Sequence, residues 1–111
     1  MPLFNTGEVD LFYEIHGDSE TTVVFLNGVM MSTDSWAFQT PVFSKKYRVL
    51  LTDFRGQGQS SKPDERYTFD KHCEELKKLL DHLEIKNAHF VGTSYGAEVG
   101  MTFGLLYPEY V

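Results

Sequence analysis

The chain has 111 residues, 41% hydrophobic and 23% charged, a size and composition that suit one ordinary globular domain and exclude disorder, collagen and coiled coil. Ten Lys and Arg against sixteen Asp and Glu leave a formal net charge of -6, so the surface is expected to repel nucleic acid and anionic membrane. Cys73 has no second cysteine to pair with. No stretch approaches the roughly 20 apolar residues of a spanning helix, and Pro2-Leu3-Phe4-Asn5 lacks the basic start and apolar run of a signal peptide. A cytoplasmic setting is expected.

No internal repeat or linker is visible, so residues 1–111 read as one unit. Val9 to His16 alternates, with Val9, Leu11, Tyr13 and Ile15 on one face and Asp10, Phe12, Glu14 and His16 on the other, which predicts an antiparallel or edge strand. Thr22–Leu26, Tyr47–Leu51 and Ala88–Val91 are short, nearly unbroken apolar runs, the pattern of parallel strands covered on both faces. Ser35–Gln39 is a short helix candidate with Asp34 or Thr33 as N-cap. Phe69, Cys73, Leu76, Leu79, Leu80 and Leu83 recur at helical spacing, with Lys71, Glu74, Glu75, Lys77, Lys78 and Asp81 assigned to the wet face and His72 and His82 to solvated positions. Tyr95–Tyr107, closed by Pro108, is a third helix, whose Gly96, Gly100 and Gly104 suggest a ridge for close packing on the sheet. This alternation spells an α/β fold: a mostly parallel twisted sheet with helices on both faces.

Gly92-Thr93-Ser94-Tyr95-Gly96 fits G-x-S-x-G between a predicted strand and a predicted helix. Glycines two before and two after the serine let strand and helix crowd together, and the serine sits on a sharp turn with the Tyr95 amide aimed where an oxyanion would form. Two further motifs precede it: Phe25-Leu26-Asn27-Gly28-Val29-Met30-Met31-Ser32 leading to Trp36, and Asp53-Phe54-Arg55-Gly56-Gln57-Gly58-Gln59-Ser60. In this order and spacing the three resemble the α/β-hydrolase family, in its esterase and 3-oxoadipate enol-lactonase branches.

The resemblance implies the N-terminal half of that family's fold, ending after the helix that follows the nucleophile. It implies Ser94 as nucleophile and the backbone N–H groups of Val29 and Tyr95 as the oxyanion hole, with Gly28, Met30 and Trp36 binding substrate and Met31 beside them. Core filling is an equal reading of Trp36. Asn27 stands where the family more often has histidine, which is expected to tune the loop's hydrogen bonds. Serine rather than aspartate at position 94 disfavours the dehalogenase and epoxide-hydrolase branches and favours esters, lactones or thioesters. For Asp53 and Arg55 the expected role is structural, a buried ion pair bracing their loop. Gly56 to Ser60 lacks the Lys-Ser/Thr of a phosphate loop, and no cofactor or metal is implied.

A serine hydroxyl needs a base, and the base an orienting carboxylate. In this fold the order is serine, acid, histidine, yet His16, His72, His82 and His89 all precede Ser94, and Glu98 and Glu109 are the acids after it. His89, five residues up the same strand, is about 16 Å from the elbow at about 3.3 Å per residue. The acid and histidine are therefore expected from elsewhere, and the 111 residues alone are expected to be inactive. The strand ending at Val91 would leave an open sheet edge, suited to a C-terminal complement or a second copy. The alternative function is a non-catalytic module that self-associates or binds a protein through that edge.

Overall fold

Strands with apolar residues on both faces must be covered on both, and that requirement organises the molecule. A computed structural model, describing residues 2–64 and 67–111, places five strands in one mixed sheet of order β1-β2-β4-β3-β5. These are β1 (Leu3–Asn5), β2 (Asp10–His16), β3 (Thr22–Leu26), β4 (Arg48–Thr52) and β5 (His89–Gly92). β3 lies between β4 and β5, and every residue of it is buried. It runs parallel to β4, with Val24 opposite Leu50, and to β5, with Leu26 opposite Gly92. β2 joins β4 antiparallel, and β1 joins β2 antiparallel.

β2 is therefore not an edge: β1, too short to show a period in sequence, covers it. Phe12 is as buried as Leu11 on the opposite face, while Ile15, past the last residue that β1 pairs, is exposed. At the other end of the sheet β5 pairs with β3 alone among the described residues.

The period-2 alternation of strand side chains divides the core into two layers. Val24, Leu26 and Leu50 point to one side, where they meet Cys73, Leu76, Leu79 and Leu80 of α2 (Phe69–His82) and Val99 and Phe103 of α3 (Tyr95–Leu106). Val23, Phe25, Val49 and Leu51 point to the other, against Trp36, Phe43 and Tyr47. Each fully buried leucine or phenylalanine contributes about 1.5–3 kcal/mol through removal from water.

The chain between β3 and β4 differs from the single helix expected at Ser35–Gln39. It forms a 3-10 turn at Thr33–Trp36 and a one-turn helix α1 (Thr40–Phe43) with proline in its first turn. Ser32, rather than Asp34 or Thr33, is the N-cap, in a reciprocal capping box with Ser35. α2 begins where the Thr68 side chain accepts the Lys71 N–H at 3.1 Å. Its buried stripe is wider than expected, because His72 and Glu75 lie inside it. Both had been assigned to water.

α3 crosses the sheet at Gly96. A Cβ there would lie 2.2 Å from the Leu26 carbonyl oxygen, and one at Gly92 would lie 2.7 Å from the Ala97 nitrogen, so only glycine lets helix and strands approach. The ridge of three glycines is not uniform: a Cβ at Gly100 would meet the Leu26 side chain at 3.2 Å, and one at Gly104 meets nothing closer than 4.0 Å. Gly96→Ala is thus expected to lose about 1–3 kcal/mol of stability, the range for forced overpacking. Gly104→Ala should gain about 0.5–1 kcal/mol from helix propensity. Urea unfolding of the two variants separates close packing at one glycine from a ridge of three.

Candidate active site

Ser94 occupies the N-cap of α3 with φ 51° and ψ -114°. Serine at an N-cap ordinarily has extended backbone and folds its hydroxyl back onto the helix amides. Here the backbone is left-handed, the side chain makes no capping bond, and the residue is exposed. A non-glycine residue in such a region costs about 1–3 kcal/mol and persists where packing over-determines it. The crowding at Gly92 and Gly96 supplies that packing.

Because Leu26 lies opposite Gly92 in register, the loop leaving β3 and the elbow leaving β5 are neighbours. A Cβ on Gly28 would stand 3.2 Å from the Thr93 carbonyl oxygen. The Gly28–Met31 turn is closed by the Met31 N–H to the Gly28 carbonyl at 3.2 Å, and it carries a second left-handed residue, Met30, at φ 63°. Tyr95 is the first residue of α3, where an amide has no intrahelical acceptor. Among the described residues neither its N–H nor that of Val29 is spent on a hydrogen bond. A backbone N–H without an acceptor is the kind of group that can bind a negatively charged oxygen.

The turn is anchored from below by buried polar groups. Asn27, fully buried, accepts the Trp36 indole N–H at 2.8 Å and directs its amide toward the Thr52 carbonyl, Asp53 and Gln57 at 3.0–3.2 Å. The Asp53 carboxylate also accepts the Thr33 N–H at 2.9 Å and the Gln59 N–H at 3.0 Å. Gln57 donates to the Gly28 carbonyl at 3.0 Å, tying the second loop to the first. The expected pairing within the Asp53–Arg55 loop is corrected: the ion pair runs from Arg55 Nε to Glu75 of α2 at 3.0 and 3.1 Å, both residues being buried. Loop and helix are thereby joined.

Beside the elbow lies a cleft of about 520 Å³, lined by Val29, Met30 and Met31 of the first loop, Phe54 to Gly58 of the second, and Tyr67, His72 and Tyr95. Of the expected substrate-binding residues, Met30 lines it and is almost wholly exposed, whereas Gly28 and Trp36 do not. Trp36 packs on Phe25 with ring centroids 4.8 Å apart. Gln57, Tyr67 and His72 join this wall with no local pattern in the sequence to announce it. Among the described residues no cluster of three His, Cys, Asp or Glu is placed to hold a metal ion, and no helix is long and apolar enough to cross a membrane.

A family model described as alpha/beta hydrolase fold matches residues 21–111, the elbow and both loops included. The chain belongs to that family. The 3-oxoadipate enol-lactonase 2 of Acinetobacter baylyi is 33% identical over 98% of this chain and 43% of its own length. The dihydrolipoyllysine-residue acetyltransferase component of the acetoin cleaving system of Pseudomonas putida is 32% identical over 95% of this chain and 28% of its own. A solved structure, MGS-M2, an alpha/beta hydrolase enzyme from a Medee basin deep-sea metagenome library, superposes with a TM-score of 0.94 at 44% identity, over 98% of this chain and 41% of that one. This chain spans less than half the length of each.

The four histidines of this α/β-hydrolase chain take different places. His16 ends β2 and contacts Glu14 at 2.9 Å, His82 is exposed and stacks on Phe4 at 4.6 Å, and His89 is exposed at the far end of β5. His72 differs from its expected solvated position. It is 2% exposed, clamped by Phe54, and its Nε2 lies 2.6 Å from the Tyr95 hydroxyl. Burial, then the Arg55 charge, pushes its pKa down to about 4. Cys73 beside it is fully buried, and burial raises its thiol to about 11, as befits a small core residue.

Two measurements follow from this wiring. Asn27→Ala strips partners from the Trp36 indole and the Asp53 carboxylate, and is expected to cost about 2–4 kcal/mol in urea unfolding. The second concerns pH. An unfolded histidine titrates near 6.5, so between that value and about 4 the unfolded state binds the extra proton and stability falls as pH drops. The loss amounts to about 3 kcal/mol and levels off below the folded pKa. Comparing unfolding free energies of wild type and His72→Gln from pH 7 to 4 should show it as slope that the variant lacks.

Proposed function

We propose that Ser94 is the nucleophile of a hydrolase acting on carboxylic ester, lactone or thioester bonds, in a cytoplasmic setting. The observation that carries this reading is the left-handed N-cap serine whose hydroxyl caps nothing at the exposed end of β5. Ser94 Oγ attacks the acyl carbon, its proton passes to a base, and the carbonyl oxygen becomes an oxyanion between the Val29 and Tyr95 amides. Collapse expels the alcohol or thiol, and water then releases the acid from the acyl-enzyme. Met30 touches the acyl group, while Gly28 and Trp36 set the loop's shape. A hydroxyl in place of a carboxylate at the elbow argues against direct attack on epoxides or halides. The lactonase and acyltransfer names of the relatives are consistent with acyl chemistry.

The base and acid of the triad are assigned to residues outside these 111. His16, His82 and His89 are held elsewhere on the sheet or helix. His72, with its pKa lowered to about 4 and its ring bonded to Tyr95, would be a weak base near neutrality.

A second reading is favoured by exposed apolar side chains, Val91 of β5 and Met101, Leu105 and Leu106 of α3, together with the outer edge of β5, which is unpaired among the described residues. In it the chain works without turnover, self-associating or holding a protein partner there.

A fluorophosphonate probe separates the two. The 111 residues alone are expected to remain unlabelled, and labelling is expected when the C-terminal remainder of an enol-lactonase of this family is supplied as a separate chain. Ser94→Ala should abolish that signal. Labelling that survives in Ser94→Ala sinks the nucleophile assignment. A folded complex that never labels, with a light-scattering mass above one chain, favours the second reading.

A further inference from the structure

The Tyr95 side chain plays no part in the chemistry proposed above, which uses only its amide, yet its placement is heavily determined. Its ring lies 5.1 Å from Phe69 and stands edge-on to His72 at 5.4 Å, with Phe54 at 6.3 Å. Its hydroxyl makes one bond, to His72 Nε2 at 2.6 Å. Both residues line the cleft beside Ser94.

A neutral imidazole carries one N–H, and a phenol is at once donor and acceptor, so the bond has two forms. In one, the tyrosine donates to Nε2 and the proton sits on Nδ1. In the other, Nε2–H donates to the tyrosine oxygen. His72 Nδ1 is buried and has no partner among the described residues. Buried N–H groups left unpaired are rarer and costlier than bare acceptors, which favours the second form. The lowered pKa of His72 keeps the ring neutral across the working range. In that form the phenol proton is uncommitted and available to the cleft.

We propose that Tyr95, oriented by His72, supplies a hydrogen-bond donor selecting acyl groups that carry a second oxygen acceptor, such as an ether, hydroxyl or keto oxygen, over plain alkyl chains. His72 is the positioning residue and Tyr95 the specificity residue. Among the other polar side chains of the wall, Arg55 bonds Glu75, Gln57 bonds Gly28, Phe54 and Asn27, the Tyr67 hydroxyl donates to the Pro63 carbonyl, and the Ser32 hydroxyl accepts the Asp34 N–H. The inference rests on Ser94 marking the acyl site, and its test is arranged to fail separately from that reading.

The probes are valeramide and its isostere 3-methoxypropanamide, which differ by an ether oxygen in place of a methylene. Their affinities are measured by amide chemical-shift titration of the Ser94→Ala chain, where no turnover intervenes. The preference for the ether over the alkyl amide is expected to fall about fivefold on adding Tyr95→Phe, the worth of one neutral hydrogen bond. His72→Phe should lower it similarly, and His72→Gln, which retains an N–H donor, should restore it. Nitrogen shifts of the wild-type imidazole should report the Nε2–H form.

An unchanged preference in Tyr95→Phe overturns the proposal, as does the Nδ1–H form, because the tyrosine proton would then be committed to His72. Dispersed amide spectra of each variant confirm folding. If the preference behaves as expected but Ser94 never takes the fluorophosphonate, the nucleophile reading fails, and with it the description of the bound group as an acyl chain, while the Tyr95 donor oriented by His72 holds.

Discussion

The buried carboxylate of Asp53 is the constraint on which the arrangement above the sheet depends. It has no exposed surface and lies just past the end of β4, yet hydrogen bonds reach it from Asn27 after β3, from the Thr33 amide that opens the 3-10 turn, and from the Gln59 amide of its own loop. A buried anion is tolerable only when such donors replace its hydration. Supplying them fixes three chain segments at once. Removing the aspartate would leave those donors without the acceptor that joins them. The glycine at position 58 belongs to the same arrangement, since a Cβ there would lie 2.1 Å from the carboxylate.

From that anchor the site follows by packing. Three non-glycine residues among those described have left-handed backbone, and two of them, Met30 and Ser94, stand on the adjoining loops of the cleft. Such strain is stable only where surrounding contacts leave no relaxed alternative. At Ser94 those contacts are backbone to backbone, with α3 seated on the Leu26 carbonyl through Gly96. The rigid parts of the sheet thus hold the strained ones, and a serine that would otherwise have capped its helix keeps its hydroxyl free.

Much of this was legible in the sequence. The apolar runs marked β3, β4 and β5, and the two glycines around Ser94 marked the elbow, because both signals are local and steric. What escaped was polar burial. His72 and Glu75 fit the helical stripe of Phe69, Cys73, Leu76 and Leu79 at spacings of three and four, but polarity was allowed to outvote periodicity. Their burial is made tolerable by Tyr95 and Arg55, which come from distant segments, and no local pattern announces such partners. The same holds for Arg55 itself, whose pairing with Glu75 spans twenty residues rather than the two that separate it from Asp53. The bounds of β1 are not readable, because three residues cannot display a period.

The elements present divide the chemistry along a physical line. The left-handed backbone of Ser94 and the unbonded amides of Val29 and Tyr95 are matters of main-chain geometry, and the β3–β5–α3 unit supplies the packing behind the serine. A general base is different, for it must be a side chain aimed at the serine from another element, with its own orienting partner. Here the one buried histidine near the cleft is turned to Tyr95 instead, in an apolar cage that keeps it neutral. That environment suits a fixed hydrogen bond and opposes proton transfer.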